Sequence, residues 1–192
     1  MIQTPVKLTF EEYLVYDDGT DNRYELVDGK LVMVPLPTGD HSDVIDLLSD
    51  AFKTAIAGLG AWLVKRDVGV YVGINPNTNS LRSRTPDLCI VTQAQWAVVK
   101  AQKNKAAVLK TAPLLAVEIV SPSSKKTDSQ AKEQEYQAVG IPEYWIVDLR
   151  QAKVTVLLLV DERYEKTEFI GNQQIVSRTF PQVSLTAQQV LS

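Results

Sequence analysis

The chain is short of sulfur chemistry. It has one cysteine, Cys89, in 192 residues. A single thiol excludes an intramolecular disulfide and argues against a cysteine-ligated metal; Cys89 reads as a small core residue. Long apolar runs are also missing. The longest, Val154 to Val160, is far too short to span a bilayer. The opening MIQTPVKLTF lacks the apolar segment of a secretory signal. There are no repeats and no low-complexity tracts. Nor is there an excess of positive charge: a net charge of −3 excludes a broadly cationic nucleic-acid coat. What remains is a cytoplasmic protein of ordinary globular composition, long enough for one domain, residues 1–192, with a sizeable core.

The charge that is present is unevenly spread. Lys100, Lys103, Lys105 and Lys110 occupy a stretch without acids, and Arg82 and Arg84 stand just before Asp87. These residues suit either a local basic face or scattered solvated side chains.

Periodicity and punctuation give the elements. Thr9 to Glu12 is a capping box that opens a short helix. RYELVDGKLVMV alternates around Asp28-Gly29 and predicts a β-hairpin. Asp40 is expected to cap a helix over His41 to Ala57, with Val44, Leu47, Leu48, Ala51 and Ala55 facing inward. Strands follow at AWLVKR and VGVYVG. Gly73 to Arg84 reads as a loop. PDLCIVT is a strand starting at Pro86, QAQWAVVKAQ a short helix and LLAVEIV a strand. A helix runs from Thr127 to about Val139. EYWIVDL, then KVTVLLLV paired with RYEKTEFI, complete the strands, and TAQQ opens a terminal helix. The pattern is mixed α/β, with helices against one mixed sheet.

Leu114 to Val120 is apolar on both faces and holds one carboxylate, Glu118. Apolar residues on both faces mark a central strand, where an unpaired carboxylate is costly. The strand of Cys89 has one carboxylate too, Asp87, at its start. Paired strands lie about 5 Å apart, so Asp87 and Glu118 could bracket one Mg2+, with the Ile119 carbonyl as a further oxygen ligand. On the next helix Gln130, Glu133, Gln134 and Gln137 form a polar stripe, while Asp128, Lys132, Tyr136 and Val139 face the sheet. Two carboxylates, an ion and an inward lysine suit phosphodiester hydrolysis. On spacing alone, a Glu118–Lys132 ion pair, a turn role for Asp87 and a snorkelling Lys132 account for the same residues. Three further residues are secondary candidates. His41, the only histidine, reads as a surface or hinge residue or an aid to substrate positioning. Glu25 reads as a solvated strand residue or a further metal-site acid, and Tyr136 as core.

RYELVDGKLV, TPDLCIV, VEIVSPSSKKTD and KEQEYQAVGIPEYWIVD together resemble the bacterial Uma2-type restriction-endonuclease family of the PD-(D/E)XK nuclease superfamily, from about Thr9 to Leu191. The resemblance implies a restriction-endonuclease-like mixed sheet flanked by helices, with additional antiparallel strands. It also implies Mg2+ (with Mn2+ able to substitute) on Asp87 and Glu118, DNA as substrate, and a homodimer, as is common in the superfamily. One position departs from the pattern: two residues after Glu118, where the motif has lysine, stands Val120. In similar members the lysine has moved to the following helix, which fits Lys132 better than the loop residues Lys125 and Lys126. A non-catalytic nucleic-acid- or protein-binding module with a degenerate nuclease fold is the alternative. No sequence-specific DNA-reading module is evident.

Overall fold

A computed structural model describes residues 7–120 and 126–192. Helix α1 (Phe10–Leu14) starts at the Thr9 capping box, whose side chain and Glu12 exchange bonds with each other's backbone. Strands β1 (Tyr24–Val27) and β2 (Lys30–Met33) form the expected hairpin. Asp28 and Gly29 both take positive φ, 53° and 79°, as a two-residue turn that follows strand twist requires. Then come α2 (Gly39–Ile56), β3 (Trp62–Lys65), β4 (Gly69–Ile74), β5 (Leu81–Arg84), β6 (Leu88–Thr92), α3 (Gln93–Ala101) and β7 (Val108–Leu109). The chain continues through β8 (Leu115–Val120), α4 (Lys126–Ala138), β9 (Glu143–Asp148), β10 (Lys153–Val160), β11 (Arg163–Ile170) and α5 (Ala187–Leu191). Among the described residues no helix is long and apolar enough to cross a membrane.

The strands make two sheets rather than the one expected. The first has the order β2-β1-β5-β4-β7 and the second β11-β10-β9-β8-β6-β3. The second is mixed: β8 runs antiparallel to β6 and parallel to β9. The architecture is therefore α/β, with mixed sheets flanked by helices. The alternation in β8 sorts its side chains as period two requires. Leu115, Val117 and Ile119 enter a core with Val44, Leu48 and Phe52 of α2. Ala116, on the opposite face, joins Val70 and Val72 of β4 and Tyr136 of α4. The first sheet and α4 thus cover one face of β8, and α2 covers the other.

Three local expectations change. Gly73 to Arg84 is not all loop, because Gly73 and Ile74 end β4 and its last four residues form β5 in the middle of the first sheet. Asn, Ser and Pro at 75–80 make the turn, and the strand hidden behind them is too short and too charged to show by pattern. Helix α2 is capped by Thr38 rather than Asp40, with Thr38 Oγ1 accepting from the His41 N–H. Its buried stripe is Val44, Ile45, Leu48, Phe52 and Ile56, and Leu47 is exposed. The bulkier Ile45 and Phe52 take the inward face. Strand β6 begins at Leu88, so Pro86 precedes it.

A further acid closes the C-terminal half. Glu143 at the start of β9 is fully buried. Its carboxylate accepts from Trp145 Nε1 at 2.7 Å, Ser177 Oγ at 2.7 Å and the Thr179 N–H at 2.8 Å. Three donors satisfy a group that would be costly if bare and tie the segment before α5 to the sheet.

Candidate active site

The register of β6 against β8 pairs Leu88 with Val117. One further step places Asp87 opposite Glu118, at the edge where the two strands part. Asp87 turns its carboxylate onto β8: Oδ2 accepts from the Ile119 N–H at 2.7 Å. Asp87, one residue before β6, and Glu118 on β8 are thus brought opposite each other. Glu118 is buried, with only 8% of its surface exposed. Its Oε2 accepts from Lys132 Nζ at 2.9 Å and its Oε1 from the Tyr136 hydroxyl at 2.7 Å. Lys132 and Tyr136 are one helical turn apart on α4, so both reach the same strand residue. The inward lysine and its stripe partner are therefore brought to the acid. The Asp87 side chain keeps 22% exposure and that of Lys132 13%, so the cluster opens to solvent.

Charge at this point is unbalanced toward the acids. Burial first, and then the nearby Asp87 and Glu25, push the Glu118 carboxyl up to about 7, although Lys132 pulls the other way. Burial alone would lower the Lys132 amine. The attraction of Glu118, and then of Glu25, outweighs it and holds the amine above its ordinary value. Tyr136 is held well above its usual value by burial and by Glu118. Lys132 is an ammonium here and Tyr136 a neutral donor.

Glu25 is not a solvated strand residue. It is 7% exposed, because its face of β1 is covered by β5 and α4. Its Oε2 accepts from Arg84 NH1 at 3.1 Å, its Oε1 from the Thr85 N–H at 2.9 Å, and Lys132 Nζ stands 3.6 Å from Oε1. The arginines expected on a basic face are also paired. Arg84, 3% exposed, donates to Glu135 Oε2 at 2.6 Å and to Asp128 Oδ1 at 3.1 Å. Arg82 bridges Glu135 and Asp28. Burial would lower the Arg84 guanidinium, but Glu135, Glu25 and Asp128 hold it charged. Sequence reading missed Arg84, Glu135 and Asp128 as a unit. Arg82 and Arg84 stand two apart, hence on one face if the segment is a strand, and that was the available signal.

His41 is brought into the cluster. It is not a solvated surface residue: the first turn of α2 brings its ring to Asp87, with Nε2 3.0 Å from Oδ1. Nε2 is buried and makes no hydrogen bond, because the contact lacks hydrogen-bond geometry. Lys125 lies outside the described residues, and the Lys126 side chain is not described. Among the described residues no three His, Cys, Asp or Glu side chains converge as a ready-made metal cage; both Glu118 oxygens face Lys132 and Tyr136 instead. The arrangement can still attract a cation to its excess of carboxylate, and it presents an ammonium beside that position.

The family model of Uma2, described as "Putative restriction endonuclease", matches residues 10–188. The chain belongs to the Uma2 family. This member of Uma2 superposes on a solved chain from Anabaena variabilis ATCC 29413, described as "a putative nuclease belonging to DUF820". The TM-score is 0.75 and the identity 18%, covering 96% of this chain and 97% of that one. That likeness shows a fold shared over nearly the whole of both chains. No curated protein matches this Uma2 chain.

Proposed function

We propose that the chain, as one nuclease domain over residues 1–192, is a Mg2+-dependent DNA endonuclease that hydrolyses phosphodiester bonds. Asp87, Glu118 and Lys132 are its catalytic residues. The observation that carries the reading is the gathering of Asp87, Glu118 and an inward lysine at one solvent-reaching edge, in a chain of the Uma2 family. The donors fit the ion by type rather than as a cage preformed among the described residues. Asp87, Glu118 and the Ile119 carbonyl offer the oxygen set that Mg2+ prefers. Burial first, and then Asp87 and Glu25, keeps the Glu118 carboxyl high, a cost that a bound cation would offset. When bound, the ion supplies polarisation of the phosphoryl group and acidification of water; Mn2+ has the same ligand preference.

The protein's own groups do the rest. Lys132 is already charged, so it does not serve as a general base. It donates to a phosphoryl oxygen and stabilises the negative charge that grows there. Release of Glu118 from Lys132 frees the carboxylate for the ion and the ammonium for the substrate. Tyr136 keeps a hydrogen bond on the other Glu118 oxygen and holds its orientation. Arg84 occupies Glu25, which would otherwise compete for Lys132.

One observation favours a second reading. Lys132 and Tyr136 occupy both Glu118 oxygens, as they would in a binding module that keeps the fold without the reaction. Cleavage separates the two. Purified protein is expected to nick supercoiled plasmid with Mg2+, to stop with EDTA, and to lose about a hundredfold or more in rate in Asp87→Asn. Equal nicking by wild type and Asp87→Asn, or none by either, would leave the binding module standing.

A further inference from the structure

A cavity of about 190 Å3 lies at one end of the first sheet, with Tyr13, Tyr16, Arg23, Tyr24, Asp67 and Thr85 in its lining. Continuing the registers of β1 and β4 against β5 sets Thr85 between Tyr24 and Gly69, where the chain leaves β5 for Asp87. Tyr24 and Glu25 are neighbours on β1, so they face opposite sides of the sheet. Glu25 serves the acidic cluster and Tyr24 the cavity. Thr85 joins the two, because its N–H donates to Glu25 Oε1 at 2.9 Å while the residue lines the cavity. Two residues span at most about 7 Å, so the backbone at Thr85 stands within that distance of Asp87.

The lining is aromatic and held in place. Tyr16 and Tyr24 meet edge to face, with ring centroids 5.7 Å apart. The Tyr24 hydroxyl donates to Asp18 Oδ2 at 2.6 Å, and the Tyr24 carbonyl accepts from the Tyr13 hydroxyl at 2.8 Å. Tyr16 keeps 42% of its surface exposed, an aromatic surface not spent on the core. The charged residues of the lining, Arg23 and Asp67, are an ion pair. Their charges cancel, which leaves no excess to draw in a phosphate or a carboxylate. The volume is below the roughly 300–1,000 Å3 of pockets for drug-sized ligands, so the cavity suits one small ring system.

We propose that this cavity takes an unstacked base of the DNA strand, beside the phosphate held at Asp87 and Glu118. This rests on the reading of that site as a nuclease. Aromatic rings and an arginine plane are the surfaces on which splayed-out bases stack, and Tyr16, Tyr24 and Arg23 supply them. The choice of base matters little, since every base has a π-face. The state of the strand matters more: single-stranded, gapped or mismatched DNA is favoured over paired duplex, because a base already out of the stack needs no unstacking.

The test is photo-cross-linking of full-length wild-type protein, in Mg2+, to a single-stranded oligonucleotide whose thymines are replaced by 5-iodouracil. On irradiation this base couples to an aromatic side chain stacked on it. The proposal expects the cross-link on Tyr16 or Tyr24, located by peptide mass spectrometry. In anisotropy titrations Tyr16→Ala should weaken binding of the unmodified oligonucleotide about tenfold, and an abasic strand of the same length should bind wild type and variant alike. Cross-links confined to residues outside the cavity, no cross-link at all, or an equal loss on the abasic strand would overturn the inference. Plasmid nicking is scored separately. Nicking without a cross-link in the cavity removes the base site and leaves the nuclease. A Tyr16 or Tyr24 cross-link without nicking keeps the base site and removes the nuclease. The wild-type cross-link decides without any variant, so misfolding of Tyr16→Ala does not shelter the proposal.

Discussion

Glu118 carries the electrostatic tension of the site, and that tension has a pH signature. Its carboxyl sits at about 7 in the fold against an ordinary 4.5, so the folded chain holds this proton more tightly than the unfolded chain. The stabilising contribution is fully present below about 4.5 and is lost as pH rises through about 7. A divalent ion competes for the same carboxylate and needs it deprotonated. Two outcomes follow for thermal melts between pH 5 and 8. Without metal, Glu118 lowers the Tm as pH rises; with saturating Mg2+, the gain in Tm is larger at pH 8 than at pH 6. A metal-induced gain that does not change with pH would place the ion elsewhere. Tyr136→Phe removes the donor to Oε1 and is expected to cost about 1–3 kcal/mol in urea unfolding.

Strand β5 and helix α4 are joined by charge as much as by packing. Arg84 reaches Glu25 on β1 and both Asp128 and Glu135 on α4. Arg84→Met takes from buried Glu135 and Glu25 the arginine they share, leaving Arg82 on Glu135 and the Thr85 N–H on Glu25, and is expected to cost up to about 3–5 kcal/mol by urea denaturation. It should also draw Lys132 toward Glu25, already 3.6 Å away, and slow cleavage beyond what the lost stability explains. Unchanged stability would show that the clasp is dispensable. The same elements show what sequence pattern could carry. Strand β8 was legible because apolar residues on both faces leave one charge conspicuous, and α4 because a polar stripe defines its opposite face. Strand β5 was not: it spans four residues, two of them arginines whose partners are far away in sequence. The inward turn of Glu25 was illegible for the same reason, since the cover on its face of β1 comes from β5 and α4.

The whole molecule is mildly acidic, with a net charge of −3, and its two arginines nearest the site are spent on internal acids. Among the described residues few cations are left there to neutralise phosphates. DNA affinity is therefore expected to need the divalent ion and to fall only gently with salt, since the salt slope counts neutralised phosphates. A steep slope in filter binding with EDTA present would instead point to a basic face, such as Lys100 to Lys110, that works without the ion. Two sheets and the helices around them bring Asp87, Glu118, Lys132, Tyr136, Glu25 and His41 together from four separate elements and one connecting segment. The proposed function turns on Lys132 standing in for the lysine missing at Val120. Its most direct test is the initial rate of plasmid nicking by wild type and Lys132→Met, side by side at pH 8 in Mg2+, with Mg2+ binding checked in both. The account predicts that the variant still binds Mg2+ and nicks about a hundredfold or more slowly. Equal rates would contradict it.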